Sequence, residues 1–202
     1  HILLIDYEDS FVHTLANYIR QTGATVTTVR HGLSQSILDT EHFDLVVLSP
    51  GPGKPSDFQM TETISLCQTK QLPIFGVCLG LQGIVEAFGG EIGVLDYPQH
   101  GKISQISVTS NDSLLFQNLP ATLEVGRYHS LYALSEKLPA EFKVTAISDD
   151  GVIMGIEHER LAIAAIQFHP ESIMTLSQGT GQAIINNVVN AYTIRNKKVI
   201  SN

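Results

Sequence analysis

PIFGVCLGLQGI, residues 73–84, sets a lone cysteine between Gly76 and Gly80, where an apolar run gives way to a helical pattern. PIFGVC reads as a buried strand, and the residues from Leu79 to about Phe88 read as a helix. A cysteine that only fills a core needs no glycine on either side. A nucleophile thrust out of a sharp strand-to-helix turn does, because its backbone is strained and neighbouring chain must approach closely. The helix start also brings free N–H groups and a dipole that favour a thiolate. The five residues Gly76-Val77-Cys78-Leu79-Gly80 therefore admit two readings, a nucleophile elbow or a half-buried cysteine beside packing glycines.

Outward from this elbow, short apolar runs alternate with helical patterns. ILLID (2–6) is a buried strand, and SFVHTLANYIRQTG (10–23) a helix with Asp9 or Ser10 as N-cap and Gly23 as its stop. ATVTTVR (24–30) is rich in β-branched residues, and DLVVLS (44–49) is a second buried run. The turn-rich PGPGKP (50–55) and a helical segment near 59–70 then lead back to the elbow. This alternation predicts βαβ units, hence an α/β fold with a mostly parallel central sheet and helices on both faces. The second half is more strand-rich, with segments at 91–96, 103–109, 122–128, 142–148, 152–157 and 161–168. A last helix is expected near 178–195, and no repeat or linker interrupts the chain, so residues 1–202 read as a single domain.

Composition narrows the function classes. With 43% hydrophobic and 16% charged residues, a chain of 202 can bury a full core. A net charge of -8 argues against a nucleic-acid surface. There is no apolar run of membrane-spanning length and no basic-then-apolar leader. The two cysteines, Cys67 and Cys78, give no disulfide framework, so a reducing cytoplasm is expected. The chain starts at His1 rather than methionine and its apolar run begins at once, so a piece cut from something longer, or a chain that has lost its first residues, is expected.

A cysteine nucleophile needs an oriented base. Of eight histidines, only His169 ends an apolar strand (AIAAIQFHPES) with a carboxylate two residues on. If the extended backbone continues through Pro170, His169 and Glu171 share a side and can bond. In open α/β sheets ligands gather at the carboxyl ends of the strands, where both Cys78 and His169 fall. PGPGKP follows such a strand end too. Its backbone N–H groups, with that of Leu79, could form an oxyanion hole; a phosphate loop and a simple turn are the rivals, although the Walker and GxGxxG spacings are absent. Cys67 reads as a buried helix residue. Zinc on Cys78, His169 and Glu171 is disfavoured because neither C-x-x-C nor H-x-x-x-H occurs.

Together these blocks resemble the class I glutamine amidotransferases of the cysteine-triad type. The resemblance rests on DYEDSF (6–11), SPGPGKP (49–55), GVCLGLQ (76–82), HGK (100–102), RYHSL (127–131) and QFHPES (167–172), in order and across the chain. It implies Cys78 as nucleophile, His169 as proton shuttle and Glu171 as its orienting partner. It further implies oxyanion donors at Gly51 and Leu79, and glutamine held by Gly51, Pro52, Gly53, Gln82, Ser130 and Leu131. SPGPGKP, HGK and RYHSL are similar to the glutaminases that serve chorismate-using enzymes, chiefly anthranilate synthase. The opening departs from the commoner D-N-Y-D-S-F at Tyr7 and Glu8, and with the block GLQGIVEAFGGE (80–91) it resembles the glutaminase half of fused single-chain anthranilate synthases. The resemblance implies no cofactor in this domain, Mg2+ only in a partner synthase domain, and neither nucleic acid nor membrane as partner.

Other readings stay open. The same glutaminase could serve an aminodeoxychorismate or phenazine-pathway synthase. An independent cysteine γ-glutamyl hydrolase would need no partner, and a non-catalytic binding domain would have no use for an intact Cys78, His169 and Glu171.

Overall fold

The structure is a computed structural model that describes residues 1–175 and 179–199, with side chains as far as Thr193. Its elements run β1 (Ile2–Asp6), α1 (Val12–Gln21), β2 (Val26–Arg30), α2 (Ser34–Thr40), β3 (Leu45–Leu48), α3 (Met60–Thr69), β4 (Ile74–Val77) and α4 (Leu79–Ala87). There follow β5 (Ile92–Val108), β6 (Thr122–Ala133), β7 (Phe142–Ser148), β8 (Ile153–His158), β9 (Ile163–Ile166) and α5 (Thr180–Val199). The described strands form one sheet in the order β2-β1-β3-β4-β9-β8-β7-β5-β6. The first five of that order are parallel, as the alternating pattern predicts. The remaining pairings are antiparallel and make up the strand-rich second half.

Strand alternation explains the two cores. Ile2, Leu4, Leu45, Val47, Phe75 and Val77 point to one face, where they meet Leu15 and Ile19 of α1 and Ile184, Val188 and Tyr192 of α5. Leu3, Ile5, Val46, Leu48 and Ile74 point to the other, against Ile64 and Cys67 of α3 and Leu81, Ile84 and Val85 of α4. With both faces covered, these strands need apolar residues at every position, hence the unbroken runs.

Several expectations are corrected. Segments 91–96 and 103–109 are parts of one strand, β5, with bulges at Val94/Gln99 and His100/Lys102, so HGK lies within the ladder rather than between strands. Gly101 takes φ 63 there, a conformation that lets the strand kink without ending. β6 continues past residue 128 to Ala133 because β5 pairs with it along that length. Helix α2 adds an element that the sequence pattern does not reveal: SQSILDT is short and buries only Ser34 and Leu38. Neither Asp9 nor Ser10 caps α1. Phe11 takes the N-cap place without a side-chain bond, and Asp9 Oδ2 instead accepts the Phe11 N–H at 2.7 Å in a local turn. Gly23 does close the helix, with φ 89 and its N–H bonded to Arg20 O at 2.9 Å. The last helix begins at Thr180; the expected start near residue 178 lies outside the described residues. No helix among the described residues is long and apolar enough to cross a membrane.

Candidate active site

Cys78 sits between β4 and α4 with φ 54 and ψ -100, a region that side chains other than glycine rarely occupy. Packing holds it there. Its N–H bonds to Ile166 O of β9 at 2.8 Å, and Gln82 N–H closes the first helical turn onto Cys78 O at 3.2 Å. The flanking glycines are required by contact. A Cβ on Gly76 would stand 2.6 Å from the Gly80 carbonyl carbon, and one on Gly80 would stand 2.6 Å from Leu48 O. Both glycines are thus fixed by close backbone packing around the turn that carries Cys78.

The 50–54 loop leaves β3 beside this elbow. Ser49 Oγ accepts the Tyr7 N–H at 2.9 Å and donates to Pro50 O at 2.6 Å, tying the loop to the end of β1. A Cβ on Gly51 would meet Tyr7 O at 2.5 Å and the Leu79 side chain at 2.7 Å. The two backbone segments expected to supply oxyanion donors are therefore neighbours. As the first amide of α4, Leu79 N–H has no acceptor inside its helix.

His169 and Glu171 meet, but by a different route from the one expected. The strand stops at Ile166, and residues 169–172 form a turn closed by Ser172 N–H to His169 O at 3.2 Å. Proline at the second position suits such a turn. Chain reversal, not extended alternation, brings the His169 Nδ1 to 2.7 Å from Glu171 Oε1. Thr175 Oγ1 pins the turn by donating to His169 O at 2.6 Å and accepting from Gly126 N–H at 2.9 Å. Both side chains are buried. Burial opposes charge on the imidazole, but its interactions with the Cys78 thiol and the Glu171 carboxylate outweigh it and hold the His169 pKa well above the ordinary value. Among the described residues, Nε2 meets no hydrogen-bond partner at full bonding distance.

A cavity of about 210 Å³ opens over Cys78. It is lined by all six residues expected to hold substrate, Gly51, Pro52, Gly53, Gln82, Ser130 and Leu131, and also by His100, Tyr128 and His129. The last three are additions to the expected site. His100 and Tyr128 pair across β5 and β6, and the signal was their place inside HGK and RYHSL. Tyr128 also lies edge-on to His169, ring centroids 5.1 Å apart. His129 accepts from Arg127 Nε at 3.0 Å through Nε2, so its Nδ1–H donates to Leu131 O at 2.9 Å. Burial and the Arg127 charge pull its pKa down to about 4, so the ring is neutral near pH 7. A larger cleft of about 630 Å³, bordered by His31, Asp57 and Glu62, contains neither the cysteine nor any of the expected site residues.

Cys67 is buried in α3, and burial pushes its thiol up to about 12. Among the described residues, no group of three or more His, Cys, Asp and Glu side chains is gathered to hold a metal ion.

Comparison with known proteins shows the family of the chain. The family profile described as glutamine amidotransferase class-I matches residues 3–190. An anthranilate synthase of Azospirillum brasilense is 54% identical over 188 residues, covering 93% of this chain but only 25% of that protein. Anthranilate synthase component 2 of Methanocaldococcus jannaschii is 42% identical, with 87% of each chain covered. A solved structure from Thermoplasma acidophilum, assigned as one component of a GMP synthase, superposes with a TM-score of 0.86 at 25% identity, covering 100% of this chain and 97% of that one.

Proposed function

This chain belongs to the class-I glutamine amidotransferase family, and from that premise we propose that residues 1–202 act as one glutaminase unit feeding ammonia to a chorismate-using synthase for anthranilate formation. The observation that carries the chemistry is the strained Cys78, open to a 210 Å³ cavity and coupled to the buried His169–Glu171 pair.

The reaction follows from these groups. The Cys78 thiolate attacks the side-chain amide carbon of glutamine, and the resulting oxyanion is held by the Gly51 and Leu79 N–H groups. Protonated His169 gives its proton to the leaving nitrogen, releasing ammonia and leaving a glutamyl thioester. Water then attacks the thioester with His169 as base, and glutamate departs as the thiolate re-forms. Glu171 keeps the Nδ1–H directed and balances the imidazolium. The Gly51-Pro52-Gly53 backbone, Gln82, Ser130 and Leu131 would surround the glutamine. A thiolate nucleophile suits a reducing cytoplasm.

Glu171→Gln isolates the third member. It keeps the shape but removes the charge, so the His169 ring, followed by NMR, should titrate at lower pH. A hydrogen bond to a charged group contributes about 1.5–3 kcal/mol, so turnover should fall roughly ten- to a hundredfold. His169→Ala should lose more. Unchanged turnover in Glu171→Gln beside an inactive His169→Ala would reduce the site to a dyad.

The acceptor is tested by adding an anthranilate-forming synthase and chorismate to this chain. The similarity to anthranilate synthases supports a severalfold rise in glutaminase turnover, with ammonia passing into anthranilate. Such coupling requires that the synthase bind one state of the site better than another. Full turnover alone, with no response to any synthase, would indicate an independent hydrolase. Stronger stimulation by an aminodeoxychorismate-forming partner would redirect the acceptor.

A further inference from the structure

We propose that Gln167 is a positioning residue for the Cys78 sulfur, an inference that rests on Cys78 being the nucleophile. Gln167 is fully buried one residue beyond β9, and its Nε2 donates to Cys78 Sγ at 3.5 Å. Its Oε1 accepts from Gln82 Nε2 at 3.2 Å, and the same Gln82 nitrogen donates its other hydrogen to Leu131 O at 3.0 Å.

The direction of this relay is not arbitrary. An amide side chain can usually be turned over to exchange its oxygen and nitrogen. Here the far end is a backbone carbonyl, which can only accept. Leu131 O therefore requires the Gln82 nitrogen, the second Gln82 N–H requires the Gln167 oxygen, and the Gln167 nitrogen is left facing sulfur. Leu131 O also accepts from neutral His129 Nδ1 at 2.9 Å, which strengthens the anchor. The sulfur thus meets an N–H donor, which stabilises a thiolate more than a thiol.

The placement links substrate to nucleophile. Gln82 and Leu131 line the cavity, whereas Gln167 does not and reaches the sulfur from within the protein, where it is fully buried. Its register is held by its own N–H to Met154 O at 3.1 Å and by the adjacent Cys78 N–H to Ile166 O at 2.8 Å. One short segment, 167–169, therefore brings both a donor and a base to the sulfur. A purely structural buried amide would need partners too, but it would have no effect on how readily the thiolate reacts.

The test is the rate of Cys78 alkylation by iodoacetamide as a function of pH, with thermal melting alongside. This readout does not require glutamine turnover, so it stands or falls separately from the proposed glutaminase activity. Gln167→Leu removes the donor. Alkylation at pH 7 should drop about tenfold, equivalent to about 1.4 kcal/mol, with the rate profile displaced to higher pH. Gln167→Glu keeps the size but places an anion beside the sulfur, and should slow alkylation further. Gln82→Leu, which frees the Gln167 amide to turn over, should move the profile the same way by less. A native profile in either folded Gln167 variant overturns the assignment. If the leucine variant does not melt cooperatively, the isosteric glutamate variant decides.

Discussion

Cys78→Ser should abolish glutamine-dependent ammonia release, by on the order of a thousandfold or more, without lowering the melting temperature appreciably. Removing the nucleophile of a triad leaves only binding and oxyanion stabilisation, and a serine hydroxyl offers no thiolate. The substitution preserves volume almost entirely, so the elbow, whose φ of 54 is enforced by Gly76, Gly80 and the Ile166 carbonyl, should keep its shape. A diazoketone analogue of glutamine provides the complementary measurement. It should label Cys78, which opens to the cavity, and spare Cys67, which is buried and whose thiol is held near 12. Mass spectrometry of the labelled chain distinguishes the two. Modification at Cys67, or full turnover in the serine variant, would remove Cys78 from the reaction.

Gly80→Ala should both destabilise the fold and impair turnover. A Cβ at this position would lie 2.6 Å from Leu48 O and 2.9 Å from Leu48 Cβ, so relief requires moving backbone rather than a flexible side chain. Overpacking of this kind costs about 1–3 kcal/mol or more, and the gain in helix propensity from glycine to alanine, about 1 kcal/mol, offsets only part of it. A net loss of roughly 1–2 kcal/mol corresponds to a fall of about 2–8 °C in a chain of this size. Displacing Leu48 also moves the 50–54 loop, and Gly51 with it, so activity should suffer more than stability. Gly32→Ala is the control: nothing among the described residues lies within 4 Å of its Cβ position, and its melting should match the parent. A parental melting temperature and full turnover in Gly80→Ala would mean that the elbow is looser than its contacts imply.

The parallel half of the sheet was legible because burial on both faces leaves a strong mark. ILLID, DLVVLS and PIFGVC each lack polar interruptions, and each becomes a strand whose carboxyl end borders the site. The elbow was legible for a local reason, since its two glycines are needed within two residues of Cys78. Helix α2 was not, because in seven residues its pattern offers only Ile37 and Leu38 as apolar contacts. Nor was the continuity of β5, where Pro98, Gly101 and polar neighbours read as a break until pairing with β6 carries the strand through.

The amino-acid sequence by itself determined the backbone elements that need only near neighbours: buried strands, the helix stop at Gly23, and a cysteine on a strained turn. The tertiary structure decided what converges on that cysteine. The His169–Glu171 contact depends on a turn locked by Thr175 and Gly126 rather than on strand alternation. The Gln82–Gln167 and Gln167–Cys78 contacts join residues 85 and 89 positions apart. Local periodicity reports which face a residue takes, over a few turns or a strand. It carries no information about which distant backbone carbonyl, here that of Leu131 on a separate ribbon, will set the direction of a buried relay. That choice arises only when β4 and β9 pair in register and Gly126 of β6 accepts the His169 N–H.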